Sequence, residues 1–236
     1  MNEGIVSMSL GLEGMPAAAE EVMIGRDIAL ADVTGGRLHV MHVSTAQGVD
    51  LIREAKLRGI RVTAEACPHH FTLTDESLRG FDSNFKMSPP LRTAKDVEGI
   101  LAGLADGTID CIATDHAPHA PDKKLLELDR APFGILGLET AVGLSVTRLI
   151  ESGRIDWPRF VEAISLLPAR ILGINRGTLR PGAIADVTLI DPSHEWQVDV
   201  NSFASKSVNS PFDGWTLRGR AVATIVHGKV KYRLSS

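Results

Sequence analysis

Apolar and polar positions along this chain alternate between two rhythms. Over residues 20–33, Val22, Met23, Ile28, Ala29 and Ala31 recur at helical spacing, and Gly35-Gly36 supply the left-handed stop that closes such a helix. Residues 37–44 then read as a strand in which Leu38, Val40 and His42 share one face. A helix is predicted over 47–58, ended by Gly59, and a second strand over 60–66 runs into Cys67-Pro68-His69-His70. A polar loop leads to Phe85-Lys86-Met87-Ser88-Pro89-Pro90-Leu91-Arg92, and a helix over 95–105 with Gly107 delivers the chain to a third strand. That strand begins at Ile109 as a short apolar run and breaks into Thr114-Asp115-His116-Ala117-Pro118-His119. Two further helices are expected, over 137–152 and 157–173.

Alternation of strand and helix argues for a parallel sheet with crossover helices, an α/β fold. Each of the three strands delivers a ligand-type residue at or near its carboxyl end: His42, His69 with His70, and Asp115. That recurrence favours a (β/α) barrel over a dinucleotide-binding sheet, and no GxGxxG is present to support the latter. From Gly177 the texture changes to a turn, a strand through Asp191, and a hairpin over 219–232 that turns at His227-Gly228. Residues 1–176 therefore read as the C-terminal part of a barrel and 177–236 as a small β module. A closed eight-stranded barrel takes about 250 residues, and with only three strands legible the chain reads as cut.

Composition narrows the setting. The 236 residues are 44% hydrophobic and 23% charged, with a net charge of −4. Without a Lys/Arg run, that charge leaves no footprint for nucleic acid. No apolar stretch approaches the roughly 20 residues that span a bilayer, and no signal-peptide pattern is seen, so a cytoplasmic setting is expected. Cys67 and Cys111 lie far apart in apolar runs and read as buried free thiols, not as a disulfide or a Cys-type zinc site.

The candidate chemistry clusters at the strand ends. Asp115 is placed where a carboxylate can bind a metal and also carry a proton. His119 offers a cation or donor beside that position, suited to an anionic small-molecule substrate, and His116 suits a loop cap. His42 admits two readings, a metal ligand or a satisfied core histidine. His69-His70 are either ligands or a structural turn. Arg92 either clamps a carboxylate or pairs with a surface Glu. Ala131-Pro132-Phe133-Gly134 either brings backbone to a ligand or merely turns. Asp186 and Asp191 read as turn residues.

Together these segments resemble a known family. His42-Val-Ser-Thr45, Ala64-Glu-Ala-Cys-Pro-His-His70, Lys86-Met-Ser-Pro-Pro-Leu-Arg92, Thr114-Asp-His-Ala-Pro-His119 and Ala131-Pro-Phe-Gly134 resemble the dihydroorotases, in their bacterial, longer-chain class within the cyclic amidohydrolase group. The tail Leu179-Arg-Pro-Gly-Ala-Ile-Ala-Asp186 is similar to the same group. The resemblance implies a metal-dependent-hydrolase (β/α)8 barrel and a zinc enzyme that interconverts dihydroorotate and N-carbamoyl-aspartate in pyrimidine synthesis. It implies that His42 and Asp115 ligate metal, that Asp115 is also the general base and acid, and that His119 and the Phe133-Gly134 backbone cradle substrate. Ser88 stands where the family holds a substrate-contacting Asn. The family's His-x-His, its bridging carboxylate or modified lysine and a further ligand His do not occur in these residues. The zinc ligand set is thus incomplete, and the chain alone is expected to be inactive. Alternatives that share the resemblance are a hydantoinase- or allantoinase-type ring-opening hydrolase, and a non-catalytic scaffold that binds a transcarbamoylase. A homo-oligomer is also compatible with it.

Overall fold

Local signals set the helices, and tertiary contacts set where the strands stop. The computed structural model describes residues 1–234. After a short helix α1 (Ile5–Leu10), Pro16 opens α2 (Ala17–Thr34), which closes on Gly35 in the left-handed region. Strand β1 (Leu38–Val40) leads into α3 (Ala46–Leu57), whose Thr45 hydroxyl caps it by accepting from Gly48 N at 3.0 Å. Strand β2 (Val62–Ala66) is followed by a long loop and α4 (Ala94–Asp106). A Thr93/Asp96 capping box starts α4, and Gly107 at φ 81° stops it. Strand β3 (Cys111–Ile112) completes a three-stranded parallel sheet in the order β1-β2-β3, with Leu38 opposite Val62 and Glu65 opposite Cys111.

Two strands are shorter than their apolar runs predict. Just before β3 the Asp110 carboxylate accepts from Ala64 N at 2.8 Å and pairs with Lys56 at 2.7 Å, so a side chain takes one ladder position. In β1 the chain leaves the extended region at His42, φ 38°, before Val43 N rejoins Glu65 O at 2.9 Å. His42 therefore does not continue the strand face of Leu38 and Val40.

α3 and α4 cover the sheet. Val49, Ile52, Ile100, Leu104 and Ile109 are fully or nearly fully buried between these layers, with Phe71 and Phe160 in the same core. Gly99 makes the close helix contact possible. A Cβ there would lie 2.5 Å from Ala46 Cβ and 2.7 Å from Ala46 Cα, so backbone would have to move. Overpacking of this kind costs about 1–3 kcal/mol, against a helix-propensity gain of up to about 1 kcal/mol for Gly to Ala. Gly99→Ala is expected to lower the urea midpoint. Gly25→Ala in α2, where an added Cβ meets nothing within 4 Å, is expected to raise it. Equal shifts of one sign in both variants would contradict this packing.

Beyond β3 come α5 (Pro121–Lys124), α6 (Ala141–Ser145) running into a π-helical segment (Val146–Ile150), and α7 (Trp157–Val161). A second π-helical segment (Glu162–Leu166) joins α7 to α8 (Leu167–Leu172). The helix expected from 137 starts at Ala141 because the preceding amides are taken elsewhere. Leu136 N donates to Asn209 O at 3.0 Å, and Gly137 N donates to His116 Nδ1 at 3.1 Å. Pro168 has no N–H to offer back to Ile164, which accounts for the widened turn before α8.

The chain ends in a separate antiparallel sheet, β4 (Val187–Gln197), β5 (Thr216–Val226) and β6 (Lys229–Arg233), in that order. His227 (φ 49°) and Gly228 (φ 73°) both occupy the left-handed region, the geometry of a two-residue type I′ hairpin turn. A second apolar cluster, Leu73, Met87, Leu91, Ile135, Leu144, Val198, Phe212 and Leu217, ties this sheet to the loops above the parallel one. Among the described residues no helix is long and apolar enough to cross a membrane.

Candidate functional site

Parallel strands end on the same side, so β1, β2 and β3 deliver His42, Cys67-Pro68-His69-His70 and Asp115 to one edge of the sheet. His42 (φ 38°) and Asp115 (φ 46°) are two of only four non-glycine residues with positive φ among those described. A non-glycine residue in that region costs on the order of 1–3 kcal/mol and persists where its surroundings over-determine it, commonly at functional sites. His42 lies two residues beyond β1 and Asp115 three residues beyond β3. His42 Nδ1 is buried without a hydrogen-bond partner, and an orphaned buried imidazole nitrogen is costly unless something absent here binds it. An orphaned imidazole nitrogen and a strand-end carboxylate are donor types that a divalent cation takes. They do not make the three protein ligands per ion that catalytic zinc ordinarily has.

His69 and His70, at the end of β2, are each 2% exposed. Burial drives the His69 pKa well below the ordinary histidine range, and the nearby His70 and His42 add to it. Burial also lowers His70, to about 4, with His42 and Arg92 adding to it and the Pro89 hydrogen bond opposing. His70 Nε2–H donates to Pro89 O at 2.9 Å, while His70 Nδ1 and His69 Nε2 have no partner. Cys67 is fully buried beside them, and burial, then the charges of Asp115 and Glu65, push its thiol well above the usual range. Cys111 is likewise a buried free thiol, pushed by burial to about 12.

His119, Phe133 and Gly134 come together in one loop platform. His119 Nε2–H donates to Phe133 O at 2.7 Å, and His119 N donates to Asn209 Oδ1 at 3.0 Å. Gly134 (φ 147°) lies so close that a Cβ would fall 2.7 Å from His119 Nε2 and 2.7 Å from Ala117 Cβ. Two lysines anchor this platform. Lys124 Nζ donates to Pro132 O and Gly134 O, both at 3.1 Å, and its burial lowers its pKa to about 8. Lys86 Nζ donates to Asp129 O at 3.0 Å and lies 4.8 Å from the Phe133 ring centroid. Gly134 N in turn donates to Lys86 O at 2.9 Å, joining the platform to the segment that bears exposed Ser88. His119 also lines a cavity of about 350 Å³ with Lys124, Asn209, Ser83 and Asn84.

Other residues settle into structural tasks. His116 caps the 135–138 turn through Nδ1, as its position suggested. Arg92 pairs with a Glu, as one of its two sequence readings has it, but that Glu is largely buried and not at the surface. It is 2% exposed and donates to Met15 O at 2.7 Å, Asn2 Oδ1 at 3.0 Å and Ser44 Oγ at 3.1 Å, and it pairs with the largely buried Glu20 at 3.4 Å. Its guanidinium therefore knits the N-terminal segment to the sheet edge. Asp186 accepts from His227 N of the hairpin turn at 2.8 Å, whereas Asp191 is not the expected turn residue: it lies within β4, paired with Arg220 beside an irregularity in the ladder, and accepts from Ser193 N at 2.9 Å. Asn209 escaped the sequence reading. It also donates to Ala117 O at 2.9 Å and Gly134 O at 3.2 Å, holding both loops from 75–92 residues away with no local motif to announce it.

The Citrifermentans bemidjiense protein named dihydroorotase is 55% identical over 233 residues, 99% of this chain and 55% of that protein. The dihydroorotase of Pelotomaculum thermopropionicum is 59% identical over 230 residues, 98% of this chain and 54% of the relative. The chain thus spans about half the length of the curated relatives it matches. Among solved structures, a dihydropyrimidinase from Brevibacillus agri superposes with a TM-score of 0.87 at 27% identity, covering 92% of this chain and 49% of that one. The L-hydantoinase of Arthrobacter aurescens gives 0.86 at 32% identity, with the same coverage of 92% and 49%. These likenesses assign the parallel sheet to the metal-dependent hydrolase (β/α)8-barrel fold. The amidohydrolase family model matches residues 17–231, and the chain belongs to the amidohydrolase family.

Proposed function

We propose that this chain supplies the C-terminal part of the active site of a zinc-dependent dihydroorotase, which interconverts dihydroorotate and N-carbamoyl-aspartate. The observation that carries the reading is the pair of left-handed strand ends that present His42 and Asp115 at one edge of the sheet. His42 offers its unpartnered Nδ1 as a ligand, and Asp115 a carboxylate oxygen. A bound divalent cation would polarise the ring carbonyl and lower the pKa of water.

Asp115 then accepts the proton of the attacking water and returns it to the ring nitrogen as the amide bond opens. The reverse sequence closes the ring. His119 and the backbone of Phe133-Gly134 cradle the substrate; His119 Nε2–H is held by Phe133 O and Gly134 N by Lys86 O, so a substrate carboxylate takes these donors only in exchange for the platform's own hydrogen bonds. Ser88, with a shorter side chain than the family's Asn, contacts substrate through its hydroxyl. The residues missing from the ligand set come from outside these 236, either from an N-terminal barrel segment or from another chain. Homo-oligomers and a transcarbamoylase partner both remain compatible, since the outer edges of β1 and β3 carry no strand partner among the described residues.

A hydantoinase reading has one observation behind it, the likeness to solved hydantoinases at 27–32% identity. The dihydroorotase reading draws on relatives at 50–59% identity. A chimera joining this chain to the N-terminal portion of the Citrifermentans relative that it does not match distinguishes them. Ring opening of dihydroorotate well above that of an unsubstituted hydantoin is the expected result. Preference for the hydantoin, which lacks the carboxylate, would overturn the substrate assignment.

A further inference from the structure

We infer that Cys67, His69 and His70 form a metal site of their own, taking one borderline-soft divalent cation of the zinc class, with neither His42 nor Asp115 among its ligands. One ligand atom from each of the three residues lies within 4.8 Å of the other two. Tetrahedral zinc holds nitrogen and sulfur ligands about 3.5 Å apart, given bonds of about 2.0–2.3 Å. Binding would draw these atoms together by no more than about 1.3 Å. The local chain conformation prepares the cluster, because His70 N donates to Cys67 O at 2.9 Å and folds 67–70 into a tight turn around Pro68.

The hydrogen bonding around the cluster is that of a ligand set lacking its ion. His70 donates Nε2–H to the Pro89 carbonyl, which fixes the tautomer that leaves Nδ1 as a lone-pair donor. A backbone carbonyl is the usual second partner of a metal-bound histidine. His70 Nδ1 and His69 Nε2 are both buried without a partner, and burial keeps both rings neutral, the form that binds metal. A purely structural role leaves this unexplained. The two rings meet edge to face at 4.3 Å between centroids, a contact that satisfies neither nitrogen.

Cys67 is a thiol here, so binding must displace its proton: a sulfur–metal bond forms, the S–H bond breaks, and one proton leaves to solvent per ion. The nearby carboxylates of Asp115 and Glu65, which disfavour a free thiolate, favour a cation. Donor type selects the metal, since one thiolate with two imidazoles suits zinc over the hard, oxygen-seeking cations.

The test is titration of the purified, chelator-stripped 236-residue chain with Co²⁺ as a spectroscopic probe for zinc. The expected result is uptake of one ion, with a near-ultraviolet sulfur-to-cobalt charge-transfer band and intense visible bands of tetrahedral character. Cys111→Ser leaves Cys67 as the only sulfur of cysteine origin and is expected to keep the band. His42→Ala is also expected to keep it, whereas Cys67→Ser, checked for folding by circular dichroism, loses it. Absence of the band from the wild type, or its loss in Cys111→Ser or His42→Ala with the fold intact, would overturn the site. The Cys111→Ser result decides the matter even if Cys67→Ser does not fold.

Discussion

Asp115→Asn, in a chimera that completes the barrel, is expected to lower dihydroorotate turnover by about 10²–10⁴-fold, the usual contribution of a positioned proton carrier. Asn preserves the size of the side chain and tolerates left-handed backbone as well as Asp does, so the φ of 46° at this position is not disturbed. The substitution removes basicity and leaves the strand end in place. The chimera should therefore keep its thermal midpoint while losing rate, and the loss should fall on kcat more than on KM. Turnover within a factor of a few of the parent, at unchanged metal content, would remove Asp115 from the proton-transfer role.

The 236-residue chain by itself is expected to show no measurable ring opening of dihydroorotate and no paired zinc centre. The reason is the ligand count at the sheet edge. His42 and Asp115 offer two donors, whereas catalytic zinc ordinarily has three protein ligands per ion. The one group of three converging ligands among the described residues is Cys67, His69 and His70. That group is buried, with Cys67 at 0% and His69 and His70 at 2% exposure, so a single ion held there is out of reach of substrate. Metal analysis after purification without added zinc, run beside an activity assay, checks both points. Two ions per chain together with turnover would mean that the barrel-edge residues complete a catalytic centre unaided.

How far the sequence carried the fold depended on how local each determinant was. α2, α3 and α4 were legible because apolar spacing and the glycine stops at 35, 59 and 107 lie within the helix or next to it. The I′ turn at His227-Gly228 was legible for the same reason. Strand ends were not, because distant groups decide them: the Asp110 carboxylate takes the Ala64 amide across 46 residues. The six-residue α1 went unread, since its exposed Ile5 and Met8 give it no clear apolar face toward the core. At the candidate site the chemical residues stood out because each follows an apolar strand. Arg92 did not yield to that logic. Its partners Glu20 and Asn2 lie 72 and 90 residues away, so nothing beside it in the sequence could distinguish a substrate clamp from an internal tie.

The division of labour between the two strand ends is tested most directly by adding zinc back to two variants of the completed barrel. His42→Ala deletes a ligand, and its defect lies in metal occupancy, so excess zinc is expected to restore part of the lost turnover. Asp115→Asn deletes the proton carrier, and no zinc concentration is expected to restore it. Recovery of Asp115→Asn by zinc, with His42→Ala unresponsive, would contradict the assignment of both residues.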